Sequence, residues 1–516
     1  MARYKDVHYD QDKFIPVSFQ KQILPGTFEY TLSYLIDNEL DLSVFDTRYR
    51  NDETGAPAFD PGVLLKIVIY AYSCGITSSR RIEQACRENI IFMALSADTH
   101  PHFTTIAGFI STMDEQIVPL FRNVLLICNE LKLIGGDMFA IDGCKLPCNA
   151  SKSWSGTKAE LKQKQKKLEK AARAMLKHHR EVDAQPDSEQ TQREAQAAQS
   201  IKAKARKIQR WLNDNDDKPG KGKKPRKSNI TDNESAKMKT SKGVIQGYDG
   251  VACVDAKHQI IVHGEAFGEA QEHDLLKPVM QSTDEHFQAI GHKAIFRTTK
   301  LTADSGFYNT VNVTHLFENG IGAYLPDLGF RKRDPRFADV ERYRARDKKD
   351  KAQYFGKKKH HYTSPDFQYD EATHTCICPA GKKLYSNGRA NNSHGYEALK
   401  FRGAQRDCVP CTHREKCFKD PNKTKTRQVA IFIGRAKQTK PHYLDLMRKK
   451  IDTREGRYQY SRRMGIVEPV FGNLCSALGV NRFSLRTKKK VDIQWKLYCM
   501  VHNLLKIHRY GELKYT

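Results

Sequence analysis

Residues 138–143 read MFAIDG and residues 301–306 read LTADSG. Each holds a brief apolar run of strand length, 138–141 and 301–303, stopped by an aspartate and a small residue. A carboxylate at such a place projects from a sheet edge into an open cleft, where functional groups gather. Taken singly, Asp142 and Asp304 are ordinary turn residues, because Asp-Gly and Asp-Ser are common turn pairs. Around them, residues 250–254 and 259–262 read as paired strands, 273–280 as a helix, and 322–325 and 429–433 as further strands. Helices are expected at 442–451, 456–477 and 491–507, the last with Ile493, Leu497, Met500, Val501 and Leu504 on one face. Strands first and helices later predict a mixed α/β core.

Residues 1–135 read as helical. Pro61 opens a helix through Leu64, Leu65, Ile67, Val68 and Tyr72, which Gly75 ends. Thr77-Ser78-Ser79 is expected to cap a second helix at 80–89, with Glu83 closing a capping box. A third is expected after Thr104-Thr105, past Phe121 to about residue 131. Arg80, Arg81 and Arg87 beside a serine-capped turn suit a DNA-reading module, and a helical cap without a partner is the plainer alternative. Residues 158–213 read as two helices broken at 184–190, around Pro186 and Asp187. Leu161, Leu168, Ala172 and Met175 on the first, and Ile201, Ala205, Ile208 and Leu212 on the second, predict an antiparallel hairpin; a solvated spacer is the alternative. The run KPGKGKKPRK follows at 218–227, with six basic residues, no acid, two Pro and two Gly, a flexible basic loop.

That run belongs to a wider excess. The chain has 516 residues, 87 Lys+Arg against 60 Asp+Glu and a net charge of +27. At roughly 100–200 residues per domain this length suggests about three units. No stretch approaches the ~18 apolar residues of a membrane helix, and the start, MARYKDVHYDQDKF, lacks the apolar region of a secretory signal. Thirteen cysteines without an export signal read as reduced thiols or metal ligands. A membrane protein, a small secreted scaffold and an acidic solvating chain are excluded; a polyanionic partner, above all nucleic acid, is expected.

A third acid changes the weight of the two aspartates. Glu468 lies in YSRRMGIVEPVFGNLCSALG, a helical stretch, flanked by Val467, Val470 and Phe471. An acid among core-facing neighbours is costly to bury unless paired or bound to metal. Pro469 disfavours helix at the residue before it, so a bend is expected that aims Glu468 at the sheet edge. Three oxygen donors converging on a cleft suit hard cations such as Mg²⁺. Two such ions serve phosphodiester transfer by activating the nucleophile and stabilising the leaving oxygen.

FAIDGCKLPCNASK (139–152), KTSKGVIQGYDGVACVDAKHQIIV (239–262), LTADSGFYN (301–309) and VEPVFGNL (467–474) resemble, in order, the blocks of bacterial insertion-sequence transposases of the DDE, RNase H-like superfamily. FDPGVLLKIVIYAYSCGITSSRRIEQACREN (59–89) resembles the helical N-terminal domain of that group. The resemblance implies that Asp142, Asp304 and Glu468 are the catalytic triad and hold two Mg²⁺ or Mn²⁺ ions. The family's tyrosine and arginine upstream of the glutamate fall loosely on Tyr460 with Arg462 or Arg463. Its lysine, seven residues after the glutamate, is Cys475 here, so the contact to the transposon end passes to Arg482 or Arg486. Lys145, Lys152, Lys239 and Lys242 flank the first two blocks and are expected at phosphates.

Five cysteines fall in one window: Cys376, Cys378, Cys408, Cys411 and Cys417. Cys408-Val-Pro-Cys411 is a knuckle that Cys378 and Cys417 could complete as a tetrahedral zinc site, with His413 as a substitute. Reduced cysteines without metal are the alternative.

These readings divide the chain into a helical DNA-binding domain (1–135), an RNase H-like catalytic core (136–152, 236–330 and 428–510), a basic hairpin insertion (153–235) and a cysteine-rich insertion (331–427). The expected function is a DNA transposase that cuts at element ends and joins the freed 3′-hydroxyl to target double-stranded DNA. The rivals are a nuclease of the same fold that does not join strands, and a non-catalytic DNA-binding derivative. A homodimer or larger assembly at synapsis and a bacterial cytoplasmic, nucleoid-associated location complete the expectation.

Overall fold

Strand β1, Met138–Pro147, is the one around which the sheet of the first unit is laid. The structure is a computed structural model and describes residues 16–49, 57–182, 189–220, 225–241, 243–337, 361–391, 396–435 and 442–513. It divides into one unit of Met1–Asp327 with Thr453–Thr516 and a second of Leu328–Asp452.

In the first unit β1 pairs antiparallel with β3 (Gly243–Asp255), from Phe139↔Asp255 to Pro147↔Gly247. On its other side it pairs parallel with β5 (Lys300–Ala303), and only as far as Ile141↔Ala303. β6 (Ala323–Tyr324) extends that parallel edge. β3 is long enough to hold β2 (Ala236–Thr240) against its first half and β4 (Ile261–Phe267) against its second. The strand expected to stop at Ile141 therefore continues to Pro147, because β3 goes on satisfying its backbone after the parallel neighbour ends.

Twelve α-helices of this unit carry labels. The first six are α1 (Phe28–Tyr34), α2 (Pro61–Ser73), α3 (Ser79–Glu88), α4 (Ile90–Leu95), α5 (Phe103–Ser111) and α6 (Ile117–Glu130). Next come α7 (Lys158–Val182), α8 (Glu189–Asp214), α9 (Leu276–Ala289) and α10 (Thr310–Glu318). Last are α11 (Arg454–Gly472) and α12 (Lys488–Tyr510). α12 is buried on nearly every side from Val491 to Leu504, enclosing Gln494, Lys496, His502 and Asn503 with its apolar residues. Glycines let it approach the sheet: a Cβ on Gly250 would stand 3.0 Å from the Trp495 ring, and one on Gly264 2.6 Å from Cys499 Sγ. Asn503 of α12 donates to the Ile261 carbonyl and accepts from the Ile261 N–H, both at 2.8 Å, pinning β4 to the helix.

The N-terminal helices share this core. Tyr72 stacks on Tyr498 at 4.7 Å, and Thr31 Oγ1 lies 2.8 Å from His508 Nδ1. Asp60 caps α2 by accepting from Gly62 and Val63, and Gly75 follows its end at φ +71°. Glu83 closes no capping box; it accepts instead from the Phe103 N–H and Arg87. The single helix expected past Phe121 is two, α5 and α6, and Pro119 sits in the first turn of α6, where its missing N–H costs no intrahelical bond. α7 and α8 form the antiparallel hairpin, with Gln165 donating to Gln209 and Leu161, Ile208, Trp211 and Ile230 clustered together. The expected break at Pro186 and Asp187 lies outside the described residues. Among the described residues no helix is long and apolar enough to cross a membrane.

The second unit holds an antiparallel sheet of β7 (Gln368–Asp370), β8 (Thr375–Ile377), β9 (Lys383–Asn391), β10 (Tyr396–Arg402) and β11 (Gln428–Arg435). Its core is Phe367, Cys376, Leu384, Leu399, Phe401 and Val429. The strand expected over 429–433 therefore forms, but it completes this sheet and not the first unit's: it pairs antiparallel with β10 from Arg402↔Gln428 to Tyr396↔Arg435.

Candidate active site

Beyond the Ile141↔Ala303 pair the chains of β1 and β5 leave the parallel ladder side by side, and the next residues are Asp142 and Asp304. Adjacent strands stand about 4.8 Å apart, so the two carboxylates share one sheet edge. Asp142 accepts from the Gly143 N–H at 2.9 Å and from Arg463 Nη1 at 2.6 Å. Burial pushes its carboxyl above the usual range and the Asp304 charge adds to that, against the pull of Arg463. Asp304 accepts from the Ser305 N–H and caps the short turn Ser305–Phe307.

α11 brings Arg463 to the site. Gln459, Arg463, Ile466, Val467 and Val470 form its buried face. No break occurs at Pro469. The carbonyl that lacks its usual N–H partner there is that of Gly465, and Gln259 Nε2 donates to it at 3.0 Å. With the helix intact, Glu468 is turned about 100° from Val467 and is exposed. Among the described residues it has no hydrogen-bond or ion-pair partner, and no three His, Cys, Asp or Glu side chains stand as a metal-ligand array. The structure thus joins Asp142, Asp304 and Arg463, and places Glu468 five residues further along the helix, open to solvent.

Two acids that the sequence did not single out lie beside them. Lys145 Nζ pairs with Glu272 Oε1 at 2.7 Å, and Lys145 faces Asp249 across the β1–β3 ladder. Asp249 is fully buried. Burial and the neighbouring Glu272 push its carboxyl up to about 7. Its signal was legible, an acid inside the buried strand YDGVACVD; Glu272, in a short turn, gave none. Cys475, in the place where a lysine was expected, meets Cys144. The Cys144 thiol donates to it, which draws Cys475 down to about 7 and holds Cys144 up.

The basic residues divide between internal partners and the surface. Arg463 lies over the Tyr460 ring at 5.8 Å. Arg462 pairs with Asp137 at 3.0 Å. Arg482 and Arg486 donate to the carbonyls of Cys148 and Asn149, just past β1. Lys152 reaches the Val244 carbonyl, and Lys239 is exposed on β2 opposite Val244. Lys242 lies outside the described residues.

Residues 377–508 match a model described as a transposase DDE domain, and residues 17–112 one described as a transposase domain (DUF772). Both matches are to transposase domains, consistent with an insertion-sequence transposase of the DDE type. The chain has a mixed α/β fold with a helical N-terminal region, and its DDE-domain match points to an RNase H-like core. No curated protein matches it.

In the second unit of the transposase, Cys378, Cys408, Cys411, Cys417 and His413 line one pocket. The Gly381 N–H turns back to the Cys378 carbonyl at 2.8 Å, and Arg414 donates to that of Cys408 at 2.7 Å. Burial pushes the Cys417 thiol up, and Cys408, Cys411 and Cys378 push the same way.

Proposed function

We propose that this transposase cuts DNA at the ends of its element and joins the freed 3′-hydroxyl to target DNA, with Asp142 and Asp304 as the catalytic carboxylates. The observation that carries the reading is their adjacency where the β1–β5 ladder ends. Hard oxygen donors in this pairing suit Mg²⁺ or Mn²⁺, which takes one or two carboxylates and fills its shell with water and phosphate oxygens. Bound between them, two such ions would activate the attacking oxygen and stabilise the leaving one. Arg463 holds the Asp142 carboxylate in one orientation. Glu468 is the third carboxylate of the proposal by its place in the VEPVFG block, on the helix that Arg463 anchors. Arg482, Arg486, Lys152 and Lys239 are proposed to grip DNA phosphates, and a homodimer to synapse two ends.

Cys378, Cys408, Cys411 and Cys417 are proposed as the ligands of a structural Zn²⁺. Four thiols around one pocket in a unit with a small apolar core support it.

A labelled duplex bearing the element's end, incubated with protein and Mg²⁺, tests the main reading. Cleavage and strand transfer that Asp304→Asn abolishes support it. Cleavage without joining would make the protein a nuclease, and metal-independent binding without chemistry would leave only a DNA-binding derivative.

A further inference from the structure

The acids behind the Asp142–Asp304 pair are not matched in charge. Among the described residues Asp249 and Glu272 meet one cation, Lys145. Both Asp249 oxygens are fully enclosed and receive no N–H or hydroxyl donor; what Asp249 meets instead is the Glu272 carboxyl, which raises the Asp249 pKa. Its Oδ1 would stand 2.8 Å from a Cβ on Gly143, the neighbour of Asp142. Glu272 Oε2 would stand 2.6 Å from a Cβ on Gly306, two residues after Asp304. Both acids therefore stand close against the backbone of the chains that carry the two aspartates, at Gly143 and Gly306. Lys145 sits among them. Burial works against its charge, yet Glu272, Asp249 and Asp304 hold its ammonium above the usual lysine range. A buried carboxylate without a donor is costly, and such costs persist where a ligand relieves them.

We propose that Glu272, backed by Asp249, is a further carboxylate of the cation site, and that Lys145 is its resident counter-ion, exchanged for a divalent cation when the site is loaded. The exchange breaks the Lys145–Glu272 ion pair and frees the ammonium for a DNA phosphate, so metal loading and phosphate contact are coupled through one side chain. A strongly hydrated ammonium on a flexible stem is suited to such an exchange. The inference rests on the reading of Asp304 as a cation ligand and adds a competitor to it.

Mn²⁺ binding to the full chain without DNA, followed by titration calorimetry, tests it. Lys145→Met removes the competing charge and is expected to tighten Mn²⁺ binding by about tenfold, the scale of one unscreened neighbouring charge. Adding Glu272→Gln is expected to cancel that gain. Unchanged affinity in Lys145→Met overturns the proposal. Should that variant not fold, Glu272→Gln alone decides, with Mn²⁺ binding weakened at least about threefold expected and unchanged binding overturning the idea. Asp304→Asn separates the two levels. If it leaves Mn²⁺ binding intact, the underlying assignment of the aspartate fails; if it abolishes binding while Lys145→Met changes nothing, only the exchange fails.

Discussion

Arg463 Nη1 stands 2.6 Å from Asp142 Oδ2, so the helix that carries Glu468 is tied to β1 by an ion pair. The side chains are 11% and 19% exposed, which keeps solvent screening small. Arg463→Met leaves Asp142 buried without its partner and is expected to destabilise the first unit by about 1–3 kcal/mol. Asp142→Asn combined with Arg463→Met is expected to cost less than the sum of the single changes. Denaturant unfolding of the four proteins measures the coupling; additive costs would show that the pair does not act as a unit.

Asp249 gives a pH dependence whose sign is fixed. Its folded pKa of about 7 lies above the ordinary 3.8, so the folded state keeps a proton that the unfolded chain releases. This stabilising contribution is full below about pH 4 and is lost as pH rises through about 7. Asp249→Asn is therefore expected to flatten the decline in stability over that window by about 2–4 kcal/mol in chelator-treated protein. Equal slopes for wild type and variant would refute it.

Cys475 is half-exposed and held near pH 7 by the Cys144 thiol, so its thiolate is available at neutral pH. Iodoacetamide at about pH 7.5 is expected to label Cys475 several-fold faster than the fully buried Cys128 or Cys253, whose thiols burial pushes up. Cys144→Ala should slow that labelling by removing the thiol donor. Peptide mapping with time reads both rates.

The Asn503 side chain meets both backbone groups of Ile261. Asn503→Leu removes two buried hydrogen bonds while keeping volume, and a loss of about 2–4 kcal/mol is expected. A loss below about 0.5 kcal/mol in chemical denaturation would mean that β4 is held by packing alone.

In the second unit, elemental analysis is expected to find one zinc per chain, lost in Cys411→Ser together with a lower melting temperature. Zinc-free wild-type protein would remove the metal from the proposal.

The sequence by itself determined the elements and their punctuation. Pro61 and Gly75 bound α2, the apolar periodicity marks α7, α8 and α12, and the runs before Asp142 and Asp304 mark the two strands, since each signal is a local property of the chain. Cys378, Cys408, Cys411 and Cys417, far apart in sequence, line one pocket. Tertiary structure decided the rest. The Gly465 carbonyl needed a donor from Gln259, on a distant turn, before α11 could pass Pro469 unbroken and leave Glu468 facing solvent. The strand over 428–435 joined the sheet where its backbone found β10. Asp249 and Glu272 came to the site only because β3 and the turn before α9 pack beside β1, a juxtaposition across more than a hundred residues that no local pattern encodes.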